Sequence, residues 1–238
     1  MTNGSFADDA RAGSVQRVYR GVLADLEHGR MVPGQRLIET DLAAHYAVGR
    51  NAVREAIQRL AARGLVDLSR HRSPAIRRLD RQETMEVLNV AEWMTMLALR
   101  SAASQFAASL HASALDSALT LLEEAERIDF DGAFSRARRN LYRVFLEIGG
   151  NRELQRLFPA IAMHIIYAQY QSARLRGIRL ADYRRMIAAV RARDADLAAA
   201  VARDHVENVR LSIREEWAAE DREAGDATLR RTDARRSG

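Results

Sequence analysis

From Asp80 almost to its end, the chain repeats apolar residues at the three- and four-residue spacings of amphipathic helices. Pro159 alone interrupts them. Such a segment reads as a succession of helices packed on one another, expected near residues 82–109, 113–127, 133–148, 152–175, 181–192 and 195–220. Asn151, after Gly149-Gly150, is placed to cap one of them and Asp194 the last, and Pro159 is expected to kink the fourth. Residues 221–238 read as a polar tail. The whole chain, 238 residues, holds 3 prolines and few β-branched residues beside its Ala, Leu and Arg, so it is mainly α. With no cysteine, disulfides and thiolate metal sites are excluded. No apolar run approaches the roughly 20 residues of a membrane helix. The stretch Met1–Ala10 has no basic region followed by an apolar run, so neither a membrane association nor a secretory signal is expected, and a cytoplasmic location follows.

The first third reads differently. Residues 1–13 read as a flexible arm. Ser14 can cap a helix to about His28, with Val18, Val22, Leu23 and Leu26 on one face. Gly29 and Pro33-Gly34 turn the chain. A short helix follows over about Thr40–Tyr46, then a longer one over Arg50–Arg63 whose Val53, Ala56, Ile57 and Leu60 form a single stripe. Gly64 stands where a left-handed stop belongs. Leu65–Leu68 and Ala75–Arg77 read as two short strands about a basic turn. Residues 14–79 thus describe a winged helix-turn-helix, and residues 80–220 an all-helical antiparallel bundle.

Charge separates the two parts. All 37 basic residues are arginine; residues 11–79 hold 13 of them against 6 acidic residues, whereas residues 80–238 balance. A basic first domain on a neutral second one points to a polyanion partner for the first alone. On the Arg50–Arg63 helix, Arg50, Asn51, Arg54 and Gln58 lie opposite the apolar stripe. Arginine can bond guanine O6 and N7, and Asn or Gln the adenine edge, so this face suits the major groove of double-stranded operator DNA. Arg70, His71 and Arg72 in the turn between the strands can reach the backbone or the minor groove. A solvated arginine face would share the first feature, but not the hairpin and the helix-turn-helix spacing as well.

The run Gly29…Pro33-Gly34…Leu37-Ile38-Glu39…Leu42-Ala43…Val48-Gly49-Arg50…Val53-Arg54-Glu55-Ala56-Ile57…Leu60…Gly64-Leu65-Val66 resembles the GntR family of bacterial transcription regulators. The resemblance implies that Arg50 and Arg54 read the operator and that Thr40 and the wing also touch DNA. Gly49 stands where the family has a capping Ser or Thr, Ala47 where it has a turn glycine, and Ser73-Pro74 where its wing has Gly.

Residues 80–218 more loosely resemble the family's FadR-type effector domain, FCD, which binds ligand and dimerises. The resemblance rests on helix order, on Gly150-Asn151-Arg152-Glu153-Leu154 and on Arg191-Ala192-Arg193-Asp194 before a long helix with His205. Many such domains hold a divalent metal on an Asp and three His; the matching positions are Arg138, Tyr142, Tyr183 and His205. One ligand of four survives and an arginine repels a cation, so no metal and no other cofactor is expected. These four, with His164 as a fifth, all sit on apolar helical faces and are expected to line a pocket for a small carboxylate or phenolic acid. Trp93, Met94 and Met96 could face the pocket or a dimer partner, with core packing as the default. The expectation is a homodimeric repressor responsive to an organic acid. A constitutive regulator with a decayed pocket is the first alternative; a helical enzyme fused to a DNA-binding domain is the second, but no phosphate loop, nucleophile elbow or HExxH motif supports it.

Overall fold

The computed structural model describes residues 3–68, 73–128, 132–160 and 163–236. Three helices, α1 (Asn3–Glu27), α2 (Glu39–His45) and α3 (Arg50–Ala62), precede a two-stranded antiparallel hairpin, β1 (Val66–Asp67) and β2 (Ala75–Ile76), in which Val66 faces Ile76. The segment 34–37 bonds the far side of β2, with Gly34 N–H donating to Ile76 O at 2.8 Å and Leu37 N–H to Pro74 O at 2.7 Å. Val15, Val18, Val22 and Leu26 of α1 pack against Val53, Ala56, Ile57 and Leu60 of α3, the stripe read from sequence. Arg70, His71 and Arg72 lie outside the described residues.

The second part comprises α4 (Arg81–Gln105), α5 (Ala108–Ile128), α6 (Ala133–Gly149), α7 (Arg152–Leu157), a 3-10 turn (Phe158–Ala160), α8 (Met163–Gln169), α9 (Ala173–Arg191) and α10 (Ala195–Arg236). Asp80 and Glu83 form a capping box that starts α4, while Asn151 and Ser172 cap α7 and α9. Helix α4 packs on α6 and α10, and α5 on α6 and α9, around a core that includes Leu99, Leu115, Leu141, Phe145 and Ile187. Among the described residues, no helix is long and apolar enough to cross a membrane.

Four expectations are corrected. The helix foreseen over 152–175 is broken into α7, the 3-10 turn, α8 and the start of α9. Pro159 has no N–H and clashes with the preceding turn, and Ser172 caps a new helix, so a kink becomes a break. The arm foreseen over 1–13 is helical from Asn3, and α10 runs through the foreseen tail to Arg236. Both stretches are proline-free and rich in Ala, Asp, Glu and Arg, so a neighbouring helix propagates into them cheaply. Trp93 is 70% exposed rather than in the core, while Met94 and Met96 pack against it.

The two parts also share a core. The cluster that holds α1 and α3 continues into Ile165, Ile166 and Tyr170 of α8 and Val206, Val209 and Ile213 of α10. The linker is bracketed by one side chain: Leu79 N–H donates to Gln169 Oε1 at 3.2 Å, and Gln169 Nε2 returns a bond to Leu79 O at 2.9 Å.

Candidate DNA interface and effector chamber

The helix-turn-helix is set by a buried carboxylate that the sequence reading missed. Asp25 of α1 accepts from Tyr46 Oη at 2.7 Å, from His45 Nε2 at 3.0 Å and from Arg30 Nε at 2.8 Å. Burial alone would raise its pKa; the three donors outweigh burial and hold it below the ordinary carboxylate range. Gly21 of α1 lets the Tyr46 ring lie against its backbone, where a Cβ would overlap the ring. This clamp ties the end of α2 to α1. The turn then passes through Ala47, which sits left-handed at φ 51° without being glycine. Gly49 begins α3 with no side-chain cap, leaving the first N–H groups of the helix to solvent or to a phosphate.

On α3, Arg50, Asn51, Arg54 and Gln58 are exposed on the face opposite Val53, Ile57 and Leu60. Thr40 is exposed at the start of α2, with its hydroxyl on Asp41 Oδ1 at 3.1 Å. Arg54 is not free: its Nε donates to Glu39 Oε2 at 2.7 Å, which props the guanidinium across the α2–α3 gap. Two features that suit phosphate, exposed guanidiniums and an open helix N-terminus, therefore occur together on α3.

In the helical part, Arg138, Tyr142 and His164 line one cavity and His205 a smaller one, while Tyr183 packs between Tyr142 and His205 and lines neither. Tyr142 and Tyr183 meet edge to face at 6.1 Å between ring centroids, and Tyr183 lies 5.1 Å from His205. Arg138, one turn before Tyr142 on α6, is buried, only 6% exposed. Its guanidinium lies over the Tyr167 ring of α8, with Cζ 3.2 Å from the centroid, and its Nε has no hydrogen-bond partner. A cavity of about 360 Å³ is lined by Arg138, Arg139, Tyr142, Phe158, Met163 and His164, among others. A smaller cavity of about 20 Å³ behind it shares Arg138 and Tyr142 and reaches Thr95, Tyr167 and His205.

The charges around this chamber are uneven. Asp182 accepts from His205 Nδ1 at 3.0 Å, from Asn208 Nδ2 at 3.1 Å and, more loosely, from Arg185 at 3.5 Å. Burial would raise Asp182, yet these donors keep it below its ordinary value, so it is an anion already engaged. Arg179 of α9 reaches the same Tyr167 ring at 4.4 Å, and its Nε and Nη2 have no partners. The Tyr183 hydroxyl is likewise buried without a partner. Burial drives both tyrosines well above the ordinary phenol range, so they stay neutral donors. Burial pushes His164 down to about 3, and Arg138 and Arg139 push it the same way. His205 is lowered by burial against the pull of Asp182. Arg179, Tyr167 and Asp182 escaped the sequence reading. Arg179 could have been found, because it lies one turn before Tyr183 on the same face.

This set does not fit the divalent metal that the fold family implies. Of the matched positions only His205 is a metal ligand, and its Nδ1 is taken by Asp182. No group of three His, Cys, Asp or Glu able to hold a metal occurs among the described residues. Two buried guanidiniums at the site oppose any cation.

Comparison with known proteins agrees with this architecture. The chain is 24% identical over 145 residues to a probable D-xylose utilization operon transcriptional repressor of Paenarthrobacter nicotinovorans, an overlap of 61% of this chain. It spans 63% of that relative's length. Its fold is that of E. coli McbR/YncC, with a TM-score of 0.72 at 17% identity over 86% of this chain and 98% of that one. It is also that of a GntR-type putative transcriptional regulator from Rhodococcus sp. RHA1, with a TM-score of 0.73 at 20% identity over 84% and 97%. The family profile for bacterial regulatory proteins of the gntR family matches residues 14–80, the helix-turn-helix and its wing, and that of the FCD domain matches residues 86–208, the helices that build the chamber. The chain therefore belongs to the GntR family of bacterial regulatory proteins, and its second part is an FCD domain.

Proposed function

We propose that the chain is a cytoplasmic homodimeric repressor whose hold on its operator is changed by a small carboxylate or phenolic acid bound in the chamber at Arg138. The observation that carries this reading is Arg138 itself, buried and with an unpartnered Nε beside the cavity. A buried guanidinium favours a carboxylate in front of it, in one or two charge-assisted bonds. Tyr142, and Tyr183 with its unpartnered hydroxyl, would orient that acid. His205, giving its Nδ1 proton to Asp182, keeps Nε2 as an acceptor suited to a hydroxyl on the effector. His164 forms part of the outer wall. Repression is favoured by the name of the Paenarthrobacter relative. A two-fold dimer would set two α3 helices about 34 Å apart on a near-palindromic site. The exposed stripe Val90, Trp93 and Leu97 on α4 is a surface that a second copy could cover.

Arg50, Asn51, Arg54, Gln58 and Thr40 are assigned to DNA, together with Arg70, His71 and Arg72 of the wing. The test is operator binding by fluorescence anisotropy at fixed salt. Arg54→Ala should cost about 1–3 kcal/mol per half-site with folding intact. Affinity equal to the parent would remove Arg54 from the interface. A pocket that has decayed, leaving a constitutive regulator, predicts instead that no small acid raises the melting temperature.

A further inference from the structure

The chamber's own lining carboxylate, Glu147, pairs with Arg143 within α6, but a second carboxylate, from the DNA-binding part, holds one of the wall arginines from outside the cavity. Glu27, the last residue of α1, is 7% exposed and ion-pairs with Arg139 of α6. Its Oε1 lies 3.8 Å from His164 Nδ1, which has no hydrogen-bond partner. Arg139 and His164 are both walls of the 360 Å³ cavity. The seat is built for close approach: Gly132, just before α6, is left-handed at φ 73°, and a Cβ there would stand 2.8 Å from the Glu27 carbonyl oxygen. Next to it, His28 meets Arg136. Glu27 thus ends the helix whose Val15, Val18, Val22 and Leu26 carry α3, and its carboxylate holds Arg139, a wall residue of the chamber.

We propose that Glu27 occupies the place of an effector carboxylate, and that the effector is a diacid whose inner carboxylate engages Arg138 while its outer one displaces Glu27 from Arg139. This rests on the reading of the chamber as an acid site. Arg138 and Arg139 are consecutive on α6 yet line one cavity, so the two groups can be engaged by one short molecule. Only the outer exchange concerns α1. A monoacid satisfied by Arg138 leaves Glu27 in place and the DNA-binding part latched. A diacid frees the end of α1, and with it the seating of α3. Charge is conserved in the exchange at Arg139, because one carboxylate replaces another, so the guanidinium is never left bare. Glu27, once released, returns to solvent, where it is ionised at no cost; in its buried seat desolvation raises its pKa.

The test uses the full chain, its Glu27→Gln and Arg139→Gln variants, and two probe sets: α,ω-diacids from malonate to adipate, and butyrate. Binding is followed by calorimetry at matched ionic strength, and the exposure of α1 by amide hydrogen exchange. Glu27→Gln, which removes the competitor's charge, should tighten the best diacid about tenfold while leaving butyrate within about twofold. Arg139→Gln should bring that diacid down to the affinity of butyrate. In the parent chain the diacid, but not butyrate, should speed exchange at residues 22–27. Equal diacid affinity in the parent and Glu27→Gln overturns the displacement while leaving an acid site at Arg138 standing. Failure of every acid to bind any of the three proteins overturns both.

Discussion

Ala47 offers a measurement whose sign is set by one dihedral angle. The residue is exposed and left-handed at φ 51° in the turn between α2 and α3. A Cβ in that region costs about 1–2 kcal/mol relative to the right-handed form. Glycine avoids this cost but loses about 0.5–1 kcal/mol more backbone entropy on folding. The methyl is exposed, so no packing is forfeited. Ala47→Gly should therefore stabilise the chain by roughly 0.5–1 kcal/mol, a rise of about 1–4 °C for a chain of this size. Ala44, also exposed but inside α2, is the matched control: there Ala44→Gly should destabilise by about 0.5–1 kcal/mol. Urea unfolding followed by circular dichroism, with equal m-values, reads both. If Ala47→Gly lowers the midpoint as Ala44→Gly does, the strain assigned to the turn is not there.

Two further outcomes follow from the chamber and its seat. His164, pushed down to about 3, and His205, also lowered by burial, are neutral when folded but protonate near their ordinary 6.5 once unfolded. Stability should thus be full above 6.5 and fall as pH drops below it, and His164→Gln should flatten the slope by up to about 1.4 kcal/mol per pH unit, read from urea midpoints between pH 7 and 5; an unchanged slope refutes the assignment. Gly132→Ala adds left-handed strain and a clash with the Glu27 carbonyl, so it should cost about 2 kcal/mol or more and speed amide exchange at the end of α1; parent-like stability would show that α1 is not seated there.

What the sequence made legible was local. The α3 stripe and its Gly64 stop depend on residues within a few positions of each other, and spacing alone predicts them, whereas the missing cap at Gly49 is what the family resemblance implies. The convergence of Tyr142, Tyr183 and His205 was foreseen for a related reason, since each sits on a face that must be buried. Pro159 shows where local reading fails. Proline forbids the helix, but whether the chain kinks or breaks depends on whether Ser172 and the apolar face of α8 can restart it elsewhere. Asp25, Asp182 and Glu27 were missed because a lone carboxylate on a helix looks solvent-facing until its partners, all on other elements, are known. Trp93 was misplaced for the converse reason: helical spacing puts it on a stripe with Val90 and Leu97, and periodicity does not say whether that stripe faces the molecule's own core or solvent.

The misreadings and the site share one cause. In the core of the helical part, leucine and alanine obey the pattern and carry no information about ligand. The informative positions are those where the pattern is broken by a buried charge. Asp182 has its donors, so it is structural: removing it would strand His205. Arg138 and Arg179 keep donors that no described residue accepts from, so the packing around them gives no reason for them. Replacing a guanidinium by a hydrophobic residue of similar volume commonly stabilises a core. Two guanidiniums lie over one tyrosine ring, and on the proposed reading an acid that fills the chamber would stabilise the folded chain by binding it alone. A chamber that was fully satisfied when empty would bind its effector no more tightly than it holds water, and would have nothing with which to move α1.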